Sequence, residues 1–134
     1  MAEYLLRFLV EKQGLAGEIY CSSAATSTEE LGNGVHPGTR RKLQEQGIPC
    51  GNHRARQLTR ADYAAYDLLL GMDGENLFYM NRILGGDPRG KIHRLLDFSE
   101  HPRDIADPWY TGNFEDTYRD VLAGCTALLA RLTG

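Results

Sequence analysis

The spacing of apolar residues switches repeatedly along this chain between helical and extended, and that alternation limits the fold more than any other feature. In residues 1–13, Ala2, Leu5, Leu6 and Leu9 recur at i, i+3, i+4 and i+7, one stripe of an amphipathic helix. No Ser, Thr, Asp or Asn precedes that stripe to cap its first N–H groups. The run EIYCSSAAT (18–26) leans to a strand, DLLLGM (67–72) is a short apolar strand, and KIHRLLDF (91–98) is a third. Helical stretches separate them. Residues 36–48 place Pro37 in a first turn and Gly47 as the stop. Thr59 and Asp62 stand at capping-box spacing in 58–66, and Asp73 can cap GENLFYMNRIL before the Gly-Gly-Asp-Pro turn at 85–88. Asn113 caps a closing helix in which Tyr118, Val121, Leu122, Cys125, Leu128, Leu129 and Leu132 share one face. Strands alternating with helices predict an α/β fold with a mainly parallel sheet.

Composition narrows the classes. A chain of 134 residues, 42% hydrophobic and 25% charged, is sized and balanced for a single domain over 1–134. A net charge of -3 argues against nucleic acid as a partner, since such binding needs a basic face. Cys21, Cys50 and Cys125 are odd in number and scattered, which favours a reducing cytoplasm over a disulfide framework. No apolar run is long enough to span a membrane, and Glu3, Arg7, Glu11 and Lys12 interrupt any signal-like core. His36, His53, His93 and His101 show no metal-ligand spacing, so neither metal nor cofactor is expected.

The chemistry concentrates near residue 107. Asp107 precedes Pro108, which fixes the backbone, and Trp109 and Tyr110 follow. In isolation such a string reads as a surface turn. It does not stand alone: MAE, SAAT (23–26), HRARQ (53–57), DLLLGMD (67–73) and DPWYTGNFEDTYRDV occur in one order along the whole chain. Together they resemble the low-molecular-weight protein-tyrosine phosphatases. The resemblance implies a three-layer α/β/α fold, phosphotyrosine-containing proteins as partners, and a phosphocysteine intermediate. It makes Asp107 the general acid and base, and Trp109 and Tyr110 the walls for a phenyl ring. Ser23 and His53 would hydrogen-bond behind the phosphate loop, and Asp73 would stand at the strand end beside it. Physical chemistry supports the acid, because a phenol of pKa near ~10 leaves far better when a proton is supplied.

The family's nucleophile sits in a C-x5-R-S loop between a first strand and first helix, closed by Ser-Pro-Met-Ala-Glu. This sequence opens at Met1-Ala2-Glu3, so the expectation is a chain without that strand and loop, inactive as written. Such a loop is needed because its N–H groups and helix terminus hold a dianion and lower the thiol pKa. Cys50 to Arg56 satisfies C-x5-R, but it follows a helix and Gly47, with Gln57 where Ser or Thr belongs; Cys50 reads as an ordinary loop thiol. The glycines of GNGVHPG lack a strand-to-helix setting and read as pocket rim. An arsenate reductase of this fold would need additional redox cysteines, and a phosphoarginine phosphatase would be decided by loop residues not in the sequence. A non-catalytic pseudophosphatase or interaction module stands as the alternative. With the central strand missing, segments 18–24 and 67–72 are expected either to pair directly in a contracted three-stranded sheet or to associate as a homodimer through their edges.

Overall fold

The computed structural model describes residues 1–26, 36–51 and 56–133, with the side chains of Trp109 and Tyr110 outside that description. Its first helix, α1 (Ala2–Lys12), buries Leu5 of the expected stripe, with Ala2, Leu6 and Leu9 half-buried beside it, and also buries Tyr4 and Val10. Helix α2 (Pro37–Glu45) begins at the expected proline, and His36 Nδ1 accepts the Gly38 N–H at 3.0 Å. The short α3 (Ala61–Ala65) opens where the Asp62 carboxylate accepts the Thr59 N–H at 2.9 Å. Helix α4 (Gly74–Leu84) is capped by Asp73, whose Oδ1 accepts the Asn76 N–H at 2.8 Å. Asn113 caps the longest helix in the same way, accepting the Asp116 N–H at 3.0 Å. Those caps are local chemistry: each supplies an acceptor for an N–H with no partner inside its helix.

Strands β1 (Leu69–Gly71) and β2 (Ile92–Arg94) pair in parallel, Leu69 opposite Ile92 and Gly71 opposite Arg94. Side chains alternate across a strand, which sorts β1 between two cores. Leu69 and Ile92 join Leu58, Met80 and Leu84 under α4. Leu68 and Leu70 pack on the other side, against Leu5, Leu43, Leu95, Val121 and Leu128. There the final helices, α5 (Pro108–Thr111) and α6 (Phe114–Thr133), follow one another, and α6 lies against α1 and α2. Lys42 of α2 bonds Glu115 of α6 and sits 5.7 Å from the Tyr118 ring centre. The small parallel sheet therefore lies between helical layers.

Two expected strands are corrected. Within 18–26 only Ala25 is bridged, in parallel to Gln57. Arg7 Nη2 donates to the Cys21 carbonyl at 2.9 Å, and Cys21 and Ile19 turn toward Val10 and Leu129, so this segment lies along α1. Direct pairing of 18–24 with 67–72 is accordingly not formed among the described residues. The strand expected over 91–98 stops at Arg94. Asp97 Oδ2 accepts the Arg94 N–H at 2.8 Å and its Oδ1 binds the Arg94 side chain at 3.0 Å. Those bonds close a 3₁₀ turn, Leu95–Phe98, which sends both Leu95 and Leu96 into the core.

Candidate active site

The chain entering Asp107 is tied down residue by residue. Arg103 grips Asp120 of α6 with two nitrogens, at 3.0 and 2.6 Å. Asp104 Oδ1 accepts the Gly74 N–H at the start of α4 and Arg94 Nη1, both at 3.1 Å. Buried Ile105 donates its N–H to the Met72 carbonyl at 2.8 Å, and the Ala106 carbonyl accepts the Thr117 hydroxyl at 3.1 Å. Pro108 then starts α5, where the Gly112 N–H closes onto the Pro108 carbonyl at 2.8 Å. Gly112 has φ +70°, a conformation that costs glycine nothing and other residues much more. Asp107 thus stands on a turn tied to the end of β1, to α4 and to α6.

That turn borders an open cleft of about 430 Å³ at the carboxyl end of β1 and the start of α1. Ser23, Asp73 and Asp107 all line it, so residues 84 positions apart in sequence meet at one place. Ser23 Oγ donates to Glu3 Oε1 at 2.6 Å, and Glu3 Oε2 accepts from Arg7 at 2.9 Å. Asp73 spends one oxygen on its cap, while Asn76 Oδ1 accepts the Met72 N–H at 2.9 Å. The position at the carboxyl edge of a parallel sheet is where α/β folds place their ligands. His53 and the glycines at 32–34 lie outside the described residues. The backbone of Trp109 and Tyr110 follows Asp107 within α5.

Other cleft residues escaped the sequence reading. Glu3 is 8% exposed, a buried carboxylate on the first helix, yet in sequence it resembles any solvated glutamate. Thr117 and Thr39 are buried at the cleft wall, and His36 stacks on Phe114 with ring centres 5.3 Å apart. For His36 a signal existed: it sits at the cap position before Pro37.

Two of the three thiols are held in the protonated form by burial. Burial pushes the Cys125 thiol up to about 12, and burial also raises Cys21, ahead of the opposing pull of Arg7. Cys50 is half-buried with its Sγ toward the Gly51 carbonyl. Its C-x5-R partner is committed elsewhere, because Arg56 binds both Asp62 oxygens, at 3.1 and 3.2 Å. Among the described residues no group of His, Cys, Asp and Glu is arranged to hold a metal ion.

Residues 1–134 match the model of a family described as low molecular weight phosphotyrosine protein phosphatase. The chain belongs to that family. YfkJ of Bacillus subtilis, a low molecular weight protein-tyrosine-phosphatase, is 37% identical over 98% of this chain and 86% of its own length. The human low molecular weight phosphotyrosine protein phosphatase is 33% identical over 98% of this chain and 85% of its own. The crystal structure of YfkJ superposes with a TM-score of 0.94, covering 98% of this chain and 84% of that one. The phosphatase of Streptococcus pyogenes, at 30% identity, superposes at 0.87 over 99% and 83%. Among the described residues no helix is long and apolar enough to cross a membrane.

Proposed function

We propose that this phosphatase-family chain supplies the acid and the binding cleft for hydrolysis of phosphotyrosine in proteins of the cytoplasm, and that these 134 residues alone do not turn substrate over. In the proposed reaction a cysteine thiolate of a phosphate loop forms a bond to phosphorus as the phosphorus–phenolate oxygen bond breaks. Asp107 gives its proton to that oxygen. The resulting carboxylate then takes a proton from the water that attacks phosphocysteine, releasing phosphate and the thiolate. Trp109 and Tyr110 flank the phenyl ring; Ser23, His53 and Asp73 steady the loop.

The single observation that supports this most is the convergence of Ser23, Asp73 and Asp107 on one cleft at the carboxyl edge of β1. The missing step is equally concrete. The sequence holds no C-x5-R followed by Ser or Thr, and the two buried thiols are shifted away from the thiolate. That second observation favours a binding-only role for these residues by themselves. One experiment separates the readings: aryl phosphate hydrolysis by the 134-residue chain and by the same chain extended upstream with an apolar strand and C-x5-R-S-P. The expected result is a rate no higher than that of heat-denatured protein for the first and full turnover for the second. Thiol-dependent turnover by the unextended chain that disappears in Cys50→Ser overturns the proposal, as does an extended chain that folds and stays inactive.

A further inference from the structure

The peptide plane immediately before Asp107 is held by a side chain within the DPWYTGNFEDTYRDV string to which the resemblance gave no role. Thr117 lies in the first turns of α6, 7% exposed, and lines the same cleft as Asp107. Its hydroxyl has one proton and two carbonyls in reach: Ala106 at 3.1 Å and Asn113, four residues back in its own chain, at 3.3 Å. A buried threonine can satisfy itself on that i−4 carbonyl alone. Here the shorter contact goes instead to Ala106, whose carbonyl shares a peptide unit with the Asp107 nitrogen. Because that unit is planar, fixing the carbonyl oxygen fixes the direction in which Asp107 leaves it. The neighbouring anchors act earlier in the chain, at Arg103, Asp104 and Ile105, and Thr117 adds one on the peptide that follows them.

We propose that Thr117 is a positioning residue for the general acid: its hydroxyl sets the orientation of the Ala106–Asp107 peptide and, through it, the placement of the Asp107 carboxyl over the cleft. This rests on the reading of Asp107 as the acid. Misplacing a reacting group by a fraction of its contact distance costs rate without costing binding. Thr117→Val is similar in shape but replaces the hydroxyl with a methyl that cannot bond the Ala106 carbonyl, whereas Thr117→Ser keeps the hydroxyl.

The test has two arms. In the chain as given, nitrogen relaxation measures the order parameter of the Asp107 amide, expected near ~0.85 in the wild type and in Thr117→Ser and toward ~0.6 in Thr117→Val. In the chain extended with the phosphate loop, Thr117→Val should lower kcat on aryl phosphates with poor leaving groups on the order of tenfold, with KM unchanged and with activated leaving groups spared. Thr117→Ser should restore the rate, and in an Asp107→Asn background Thr117→Val should have no further effect. An unchanged order parameter in Thr117→Val overturns the inference, as does an equal loss on both substrate types or a full additive loss beside Asp107→Asn. If Asp107→Asn itself shows no leaving-group dependence, the reading of Asp107 fails and this inference fails with it; if Asp107→Asn shows it and Thr117→Val does not, the inference alone is lost.

Discussion

A carboxylate gains or loses its worth with its partners. Asp107 is exposed at the rim of its cleft, and the proposed function gives it a proton to deliver there. In an active extended chain, Asp107→Asn should slow poor leaving groups by roughly a hundredfold or more, the ordinary size of general-acid catalysis, and spare those that need no proton. A leaving-group series with kcat measured on each substrate checks this. Asp62 is the contrasting case, buried and structural. Burial acts to raise it, but hydrogen bonds from Arg56 and Thr59 outweigh that and hold it below the usual carboxylate range. A folded-state pKa below the unfolded one adds stability above the unfolded value, near ~4, that is lost as pH falls through the folded value. Asp62→Asn should therefore cost about 1 kcal/mol at pH 6, Arg56 being partly solvated, and almost nothing once the pH is below both values. Urea unfolding midpoints at several pH values give the comparison.

Elements were legible where a few neighbouring atoms decide them. Pro37, Asp73 and Asn113 announce helix starts because each solves a problem within four residues, and all three starts fall where those residues put them. Strands depend on partners the sequence does not display side by side. The 18–26 run has strand composition, but the Cys21 carbonyl goes to Arg7, and the 91–98 run ends early because Asp97 competes for the Arg94 N–H. The site divides the same way: Asp107 carries its own proline and aromatics, whereas buried Glu3 accepts from Arg7 one turn on and from Ser23, twenty residues on. Helix α6 offers a test of packing at this scale. A Cβ at Gly124 would lie 2.5 Å from Leu95 Cγ, and Leu95 is buried in the 3₁₀ turn. Alanine there gains up to ~1 kcal/mol of helix propensity and loses about 1–3 to crowding. The net should be a loss of about 1 kcal/mol, seen as a melting temperature lower by roughly 4 °C in calorimetry.

For the molecule as a whole, the family fold was readable from five strings in register and its sheet in part: β1 and β2 fall inside expected strands and pair in parallel, whereas 18–26 contributes only the bridge at Ala25. Among the described residues β1 has a strand neighbour only in β2, which leaves its other side without a ladder. Strand sides of that kind recruit other chains when nothing covers them. Light scattering on a size-exclusion column should therefore show concentration-dependent dimers for the 134-residue chain and fewer for the extended one; a monomer at every concentration would remove the edge as a cause.

The burial of two of the three cysteines also makes the protein its own reporter. Cys125 is fully enclosed and Cys21 nearly so, while Cys50 is half-buried on a loop. A colourless thiol reagent that turns yellow on reaction should count one fast sulfur in the native protein and three after denaturation. Since Cys125 sits among Leu5, Leu43 and Val121, its labelling under native conditions keeps time for the opening of the central core, whereas Cys50 reads out only its loop. A molecule with such a built-in pair of clocks needs no added dye: with Cys50→Ser in place, the slow colour that remains measures how often the interior admits a visitor.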